Sequence, residues 1–193
     1  MKALIILSVM VTTLTFAACN SNNSNETATK TGTTGTKASE SIGVAKTGTV
    51  NDILNGYLAL KNALASDNAN EAAGAAVAIA ESLDKLNDTT LNPEQKQTYD
   101  KLKADIKDNA EHIKGSAAEI AHQREHFDIL SAEIIALVDA VGTSQTLYKA
   151  YCPMYNNKNG AYWLSETKEV KNPYYGKEML TCGEVREEIK PRS

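Results

Sequence analysis

The residues best suited to chemistry are two cysteines, two methionines and two histidines in the C-terminal half of the chain. Cys152 and Met154 stand two apart in a segment of strand-like composition, so their side chains share a face. Met179 and Cys182 are three apart, a spacing that suits one helical turn or a tight loop. His122 and His126 are four apart and lie on one side of a helix. Thiolate and thioether are the ligands that select Cu(I). The candidate metal ligands are therefore Cys152, Met154, Met179, Cys182, His126 and His122, and the candidate ion is Cu(I) or Ag(I). His126 sits at the edge of an apolar stripe and is the histidine expected to meet the sulfur residues. His122 is expected to be more exposed, and His112 points off its own stripe and reads as a solvated residue.

Other chemistries find no support. There is no Gly-rich phosphate loop, no nucleophile elbow and no zinc-hydrolase helix motif, and His122-Gln123-Arg124-Glu125-His126 has the wrong order for the last of these. The expectation is a protein that is not an enzyme. A net charge of −4 without a basic run argues against nucleic acid as a partner.

The elements that must position these residues are mostly helices. Ile53, Tyr57, Leu60 and Leu64 recur at helical spacing. Ser66-Asp67-Asn68 interrupts, and an alanine-rich stripe of Ala72, Ala76, Ile79, Leu83 and Leu86 follows. Asn92-Pro93 supplies a cap and a first-turn proline for a third helix through Tyr99, Leu102, Ile106 and Ile113. A fourth carries Ile120, Phe127, Leu130, Ile134, Leu137 and Val141. Its stripe nearly continues the third, but Gly115 as a left-handed cap and Ser116-Ala117-Ala118-Glu119 as a capping box favour a break. From about Thr146 most of the tyrosines and the only tryptophan gather. Leu147 to Tyr151 and Ala161 to Leu164 predict two strands around the turn signal Asn159-Gly160, with a third short strand within Thr181 to Glu188. The fold class expected is mainly α: a four-helix antiparallel bundle (50–145) and a small β-hairpin or irregular cap (146–193), together one domain.

The N-terminus has another use. Residues 1–18 hold one lysine, a short apolar run and small residues ahead of Cys19, the pattern of a cleaved export signal. Phe16-Ala17-Ala18-Cys19 resembles the bacterial lipobox, in which the cysteine sulfur receives lipid. Two thirds of residues 20–49 are Ser, Thr, Asn or Gly, too polar to bury a core. Residues 19–49 are thus expected to be a lipidated cysteine and a disordered tether spanning about 30 Å. That implies a palmitate-bearing lipoprotein, held to a membrane of the cell envelope and facing the periplasm. With Cys19 acylated, Cys152 and Cys182 remain as an even pair in an oxidising compartment, which fits a disulfide as well as a metal site. Both readings of the pair stay open.

Several longer motifs resemble a bacterial family of unknown function. They are Gln123-Arg124-Glu125-His126-Phe127 with Leu130-Ser131, Cys152-Pro153-Met154, Gly160-Ala161-Tyr162-Trp163-Leu164-Ser165, and Asn172-Pro173-Tyr174-Tyr175-Gly176 through Met179-Leu180-Thr181-Cys182-Gly183. The family occurs as periplasmic lipoproteins and fused to membrane-fusion subunits of Cus-type heavy-metal efflux pumps. The resemblance implies a helical domain that binds or buffers copper or silver beside efflux components. The competing expectation is a structural or adaptor lipoprotein, stapled by a Cys152–Cys182 disulfide, that binds a protein partner.

Overall fold

A computed structural model describes residues 48–192. Cys19 and nearly all of the expected tether lie outside the described residues. The last two tether positions are ordered: the Gly48 amide donates to the Lys85 carbonyl at 2.9 Å, and Gly48 accepts from Asn87 at 3.0 Å.

Four long helices come first: α1 (Val50–Ala65), α2 (Ala69–Lys85), α3 (Pro93–Gly115) and α4 (Ile120–Val141). Their ends follow local chemistry. Thr49 and Asp52 form a capping box at the start of α1, and Asn92 and Gln95 form one at α3 behind Pro93. Between α1 and α2 the chain turns through Asp67 in a left-handed conformation, and the Asn68 side chain accepts the Glu71 amide at 3.1 Å. Each helix packs on the next in sequence. The α1–α2 approach is close because Gly56 has no side chain; a Cβ there would stand 2.9 Å from Ile79 Cγ1.

The break between α3 and α4 falls where expected, but by another device. Gly115 keeps helical geometry, and α4 has no side-chain cap at Glu119. The end of α3 is closed by Ser116, whose hydroxyl donates to the His112 carbonyl at 2.9 Å.

The remainder forms a three-stranded antiparallel sheet of β1 (Leu147–Cys152), β2 (Ala161–Ser165) and β3 (Glu184–Ile189), in the order β2-β1-β3. The connection from β1 to β2 is longer than a two-residue hairpin turn. Asn156, Asn157 and Lys158 are successively left-handed, and Gly160 follows at φ +77°. A Cβ at Gly160 would run into the Tyr151 ring. β2 lies against α4 and carries the buried Trp163 and Leu164, whereas β3 is largely exposed. Among the described residues no helix is long and apolar enough to cross a membrane.

Helices and sheet share one core. Ile53, Tyr57, Leu60, Ile79, Ile106, Phe127, Leu130, Leu147 and Trp163 are fully buried within it. The Phe127 ring stacks on Tyr57 at 5.3 Å and meets Tyr174 at 5.5 Å. Phe127→Ala is therefore expected to cost roughly 3–5 kcal/mol in urea unfolding; a loss within error would mean this side chain does not fill the core.

Candidate metal centre

The α3–α4 hairpin brings three imidazoles together. His112 lies in the last turn of α3, and His122 and His126 occupy the first two turns of α4. Their ligand atoms all lie within 4.8 Å of one another. His112 and His126 stack face to face with ring centres 4.4 Å apart, and His122 meets His126 edge-on at 4.7 Å. Three nitrogens on one ion at 2.0–2.1 Å would stand about 3.4 Å apart.

Neighbouring groups orient the rings. Asn109 is buried and its Nδ2 donates to the Asp105 carbonyl at 3.0 Å, which aims Oδ1 at His126 Nδ1 at 3.0 Å. An amide oxygen only accepts, so the His126 Nδ1 carries the proton and Nε2 keeps its lone pair. Glu125 Oε2 accepts from His122 Nδ1 at 3.1 Å and leaves the Nε2 of that ring free in the same way. His112 Nε2 has Asp108 Oδ2 at 3.9 Å. Burial, aided by the positive charge His112 and His122 carry when protonated, holds His126 below the ordinary histidine range. Its neutral, ligating form is thereby favoured. Asp108, Glu111 and Glu125 add negative charge around the cluster, which draws cations.

The sequence-derived ligands separate into two places. His122 and His126 are together, but their companion is His112, which the sequence reading set aside. His126 faces Asn109 and His112 on α3, where a meeting with the sulfur residues was expected. Cys152 and Cys182 are also together, with Sγ atoms 3.5 Å apart. Neither cysteine joins the histidines: among the described residues, the three histidines are the one group of three or more His, Cys, Asp or Glu side chains able to hold an ion. Met154 and Met179 are 42% and 36% exposed, so neither is core filler. Asn109 was missed altogether. The available signal was hairpin symmetry, because His112 and His122 flank the Ser116–Glu119 turn at similar distances and must face one another across it.

One group behind the site titrates unusually. Glu133 is half buried beside the Asn109 amide, at 3.5 Å from each oxygen. Burial, then the charge of Asp105, pushes it up to about 7. The folded state thus keeps a proton that the unfolded chain releases, so this residue's contribution to stability falls as pH rises from the ordinary carboxylate range toward 7. In Glu133→Gln that decline should disappear, with a flatter profile of urea midpoint against pH across the same window. A variant profile parallel to the parent would contradict the assignment.

No curated protein and no solved structure matches the chain. The stretch from Ile53 in the first turn of α1 to Thr146, just before β1, contains all three histidines and Asn109 but neither cysteine. This stretch, residues 53–146, matches the family described as "Protein of unknown function (DUF3347)".

Proposed function

We propose that this protein binds one copper ion, or a silver ion of similar preference, through His112, His122 and His126. The observation that carries the reading is the convergence of three imidazoles, one nitrogen of each within 4.8 Å of the others, in a cluster where the Nδ1 of two rings is hydrogen-bonded to an acceptor. Imidazole suits copper, zinc and nickel. Three ligands leave a coordination position open toward solvent, since His112 and His122 side chains are 52% and 43% exposed. Such a site takes up and releases its ion by exchange with an outside ligand, as a buffer or carrier requires.

In the same reading, the helices form an antiparallel four-helix bundle with the histidines at one end, and lipid on Cys19 holds the domain to the periplasmic face of the cell envelope. The lipobox pattern and polar tether support the anchor. The resemblance of the motifs around Cys152, Gly160 and Cys182 to a family fused to Cus-type subunits supports work beside heavy-metal efflux components.

Competition against a Cu(I) chelator tests the metal reading. One ion per chain is expected. His112→Ala, His122→Ala and His126→Ala should each weaken binding at least tenfold, and Asn109→Ala about 10–100-fold as an orienting partner. Cys152→Ser and Cys182→Ser should bind as the parent does. Affinity should fall as the solution is acidified, because protons compete for the same nitrogens. A parallel zinc titration measures selectivity. Parent-like affinity in all three histidine variants would defeat the assignment, and a loss confined to the cysteine variants would move the site to sulfur.

Lipidation has its own measurement. Cys19→Ala should lose all incorporation of labelled palmitate, and an unchanged labelled, membrane-bound form would refute the anchor.

A further inference from the structure

The two cap cysteines are set up for a reaction of their own, independent of the histidine site. Cys152 closes β1, paired with Ala161 of β2, and is fully buried. Cys182 lies just ahead of β3, thirty residues along the chain, and is partly buried. The backbone around Cys182 is fixed. Its amide donates to the Met179 carbonyl at 2.9 Å, and its carbonyl accepts from Asn172 Nδ2 at 2.7 Å. Asn172 is itself buried, and its amide donates to the Leu180 carbonyl at 2.8 Å. With the sulfurs 3.5 Å apart, a bond of about 2.05 Å needs the two side chains to turn toward each other.

We propose that Cys152 and Cys182 are an ordered thiol–disulfide pair, in which Cys182 reacts first with an external low-molecular-weight disulfide and Cys152 resolves the adduct. In the first step the Cys182 thiol loses its proton, and its sulfur attacks one sulfur of the external disulfide. The external S–S bond breaks, leaving a mixed disulfide on Cys182 and one released thiolate. In the second step Cys152 loses its proton and attacks the Cys182 sulfur, releasing the second external thiolate. The pair has then given up two protons and two electrons, and the external disulfide is reduced to two thiols. The order follows from access, because Cys152 is fully buried whereas Cys182 is only partly so. Burial, together with the neighbouring Cys152, raises the Cys182 thiol above its ordinary range, so the first step is slow at neutral pH and quickens as pH rises. The product ties the exposed β3 edge to the central strand.

The test treats the reduced full chain with oxidised glutathione and maps every cysteine by peptide mass, so that Cys19 is read separately. The parent should yield a Cys152–Cys182 linked peptide and no stable adduct. Cys152→Ser should accumulate glutathione on Cys182, and Cys152→Ala repeats the measurement should a buried hydroxyl unfold the chain. Cys182→Ser should leave Cys152 unmodified until denaturant is added. Near-UV circular dichroism reports folding in each case. Copper affinity of the parent should be equal in both redox forms. Separate glutathione adducts without a linked peptide, faster modification of Cys152, or no reaction in the folded parent would each overturn the proposal.

Discussion

A single phenolic hydroxyl joins the helical part to the sheet. Tyr57 is wholly buried in α1, yet its oxygen is satisfied from two sides. It shares a hydrogen bond with the Ser131 hydroxyl of α4 at 2.8 Å and accepts the backbone amide of Leu164 in β2 at 3.1 Å. A buried polar atom left without partners costs on the order of 1–3 kcal/mol, so three elements must arrive in register to avoid that cost. Burial also drives the Tyr57 ionisation far above its ordinary range, which keeps the hydroxyl protonated. Around this point the rings of Phe127, Tyr174 and Trp163 form a continuous aromatic contact from α4 into the cap.

Arg124 repeats the device nearer the surface. Its guanidinium reaches the Leu64 carbonyl and Asp67 Oδ1 at the α1–α2 turn, and the Pro173 carbonyl in the loop ahead of β3. Lys61, 1% exposed, closes the other side through Glu166 at 2.9 Å. α4 is therefore held in both position and rotation. That rotation matters to the histidines: with Phe127 turned inward, the adjacent His126 is directed along the groove toward α3.

What could be read in advance follows from how far each signal reaches. The stripe of Phe127, Leu130, Ile134 and Leu137 is periodic within one helix, and Asn92-Pro93 is a local cap, so both were legible. The two strands around Asn159-Gly160 were visible because tyrosine- and tryptophan-containing runs flank that turn signal, although the exact ends of β3 were not. The mainly helical class with a small sheet came from these local patterns. His112 is exposed as expected, but its place beside the other two rings was not legible, because periodicity taken one helix at a time says nothing of what faces a residue off the core stripe. Asn109 was invisible because its role depends on partners on the opposite helix. At Asn156 and Asn157, asparagine tolerates left-handed backbone, but the same composition also fits an ordinary turn.

The imidazole cluster is confined to one helix–turn–helix, and all three rings and Asn109 lie between positions 109 and 126. Contacts that close over so short a length form early in folding, whereas β1 must wait for β3 from the far end of the chain. An ion able to bind the hairpin has no need of the sheet. On the proposed reading, an ion bound there would by mass action favour every state that keeps the α3–α4 hairpin intact, whether or not the sheet has formed.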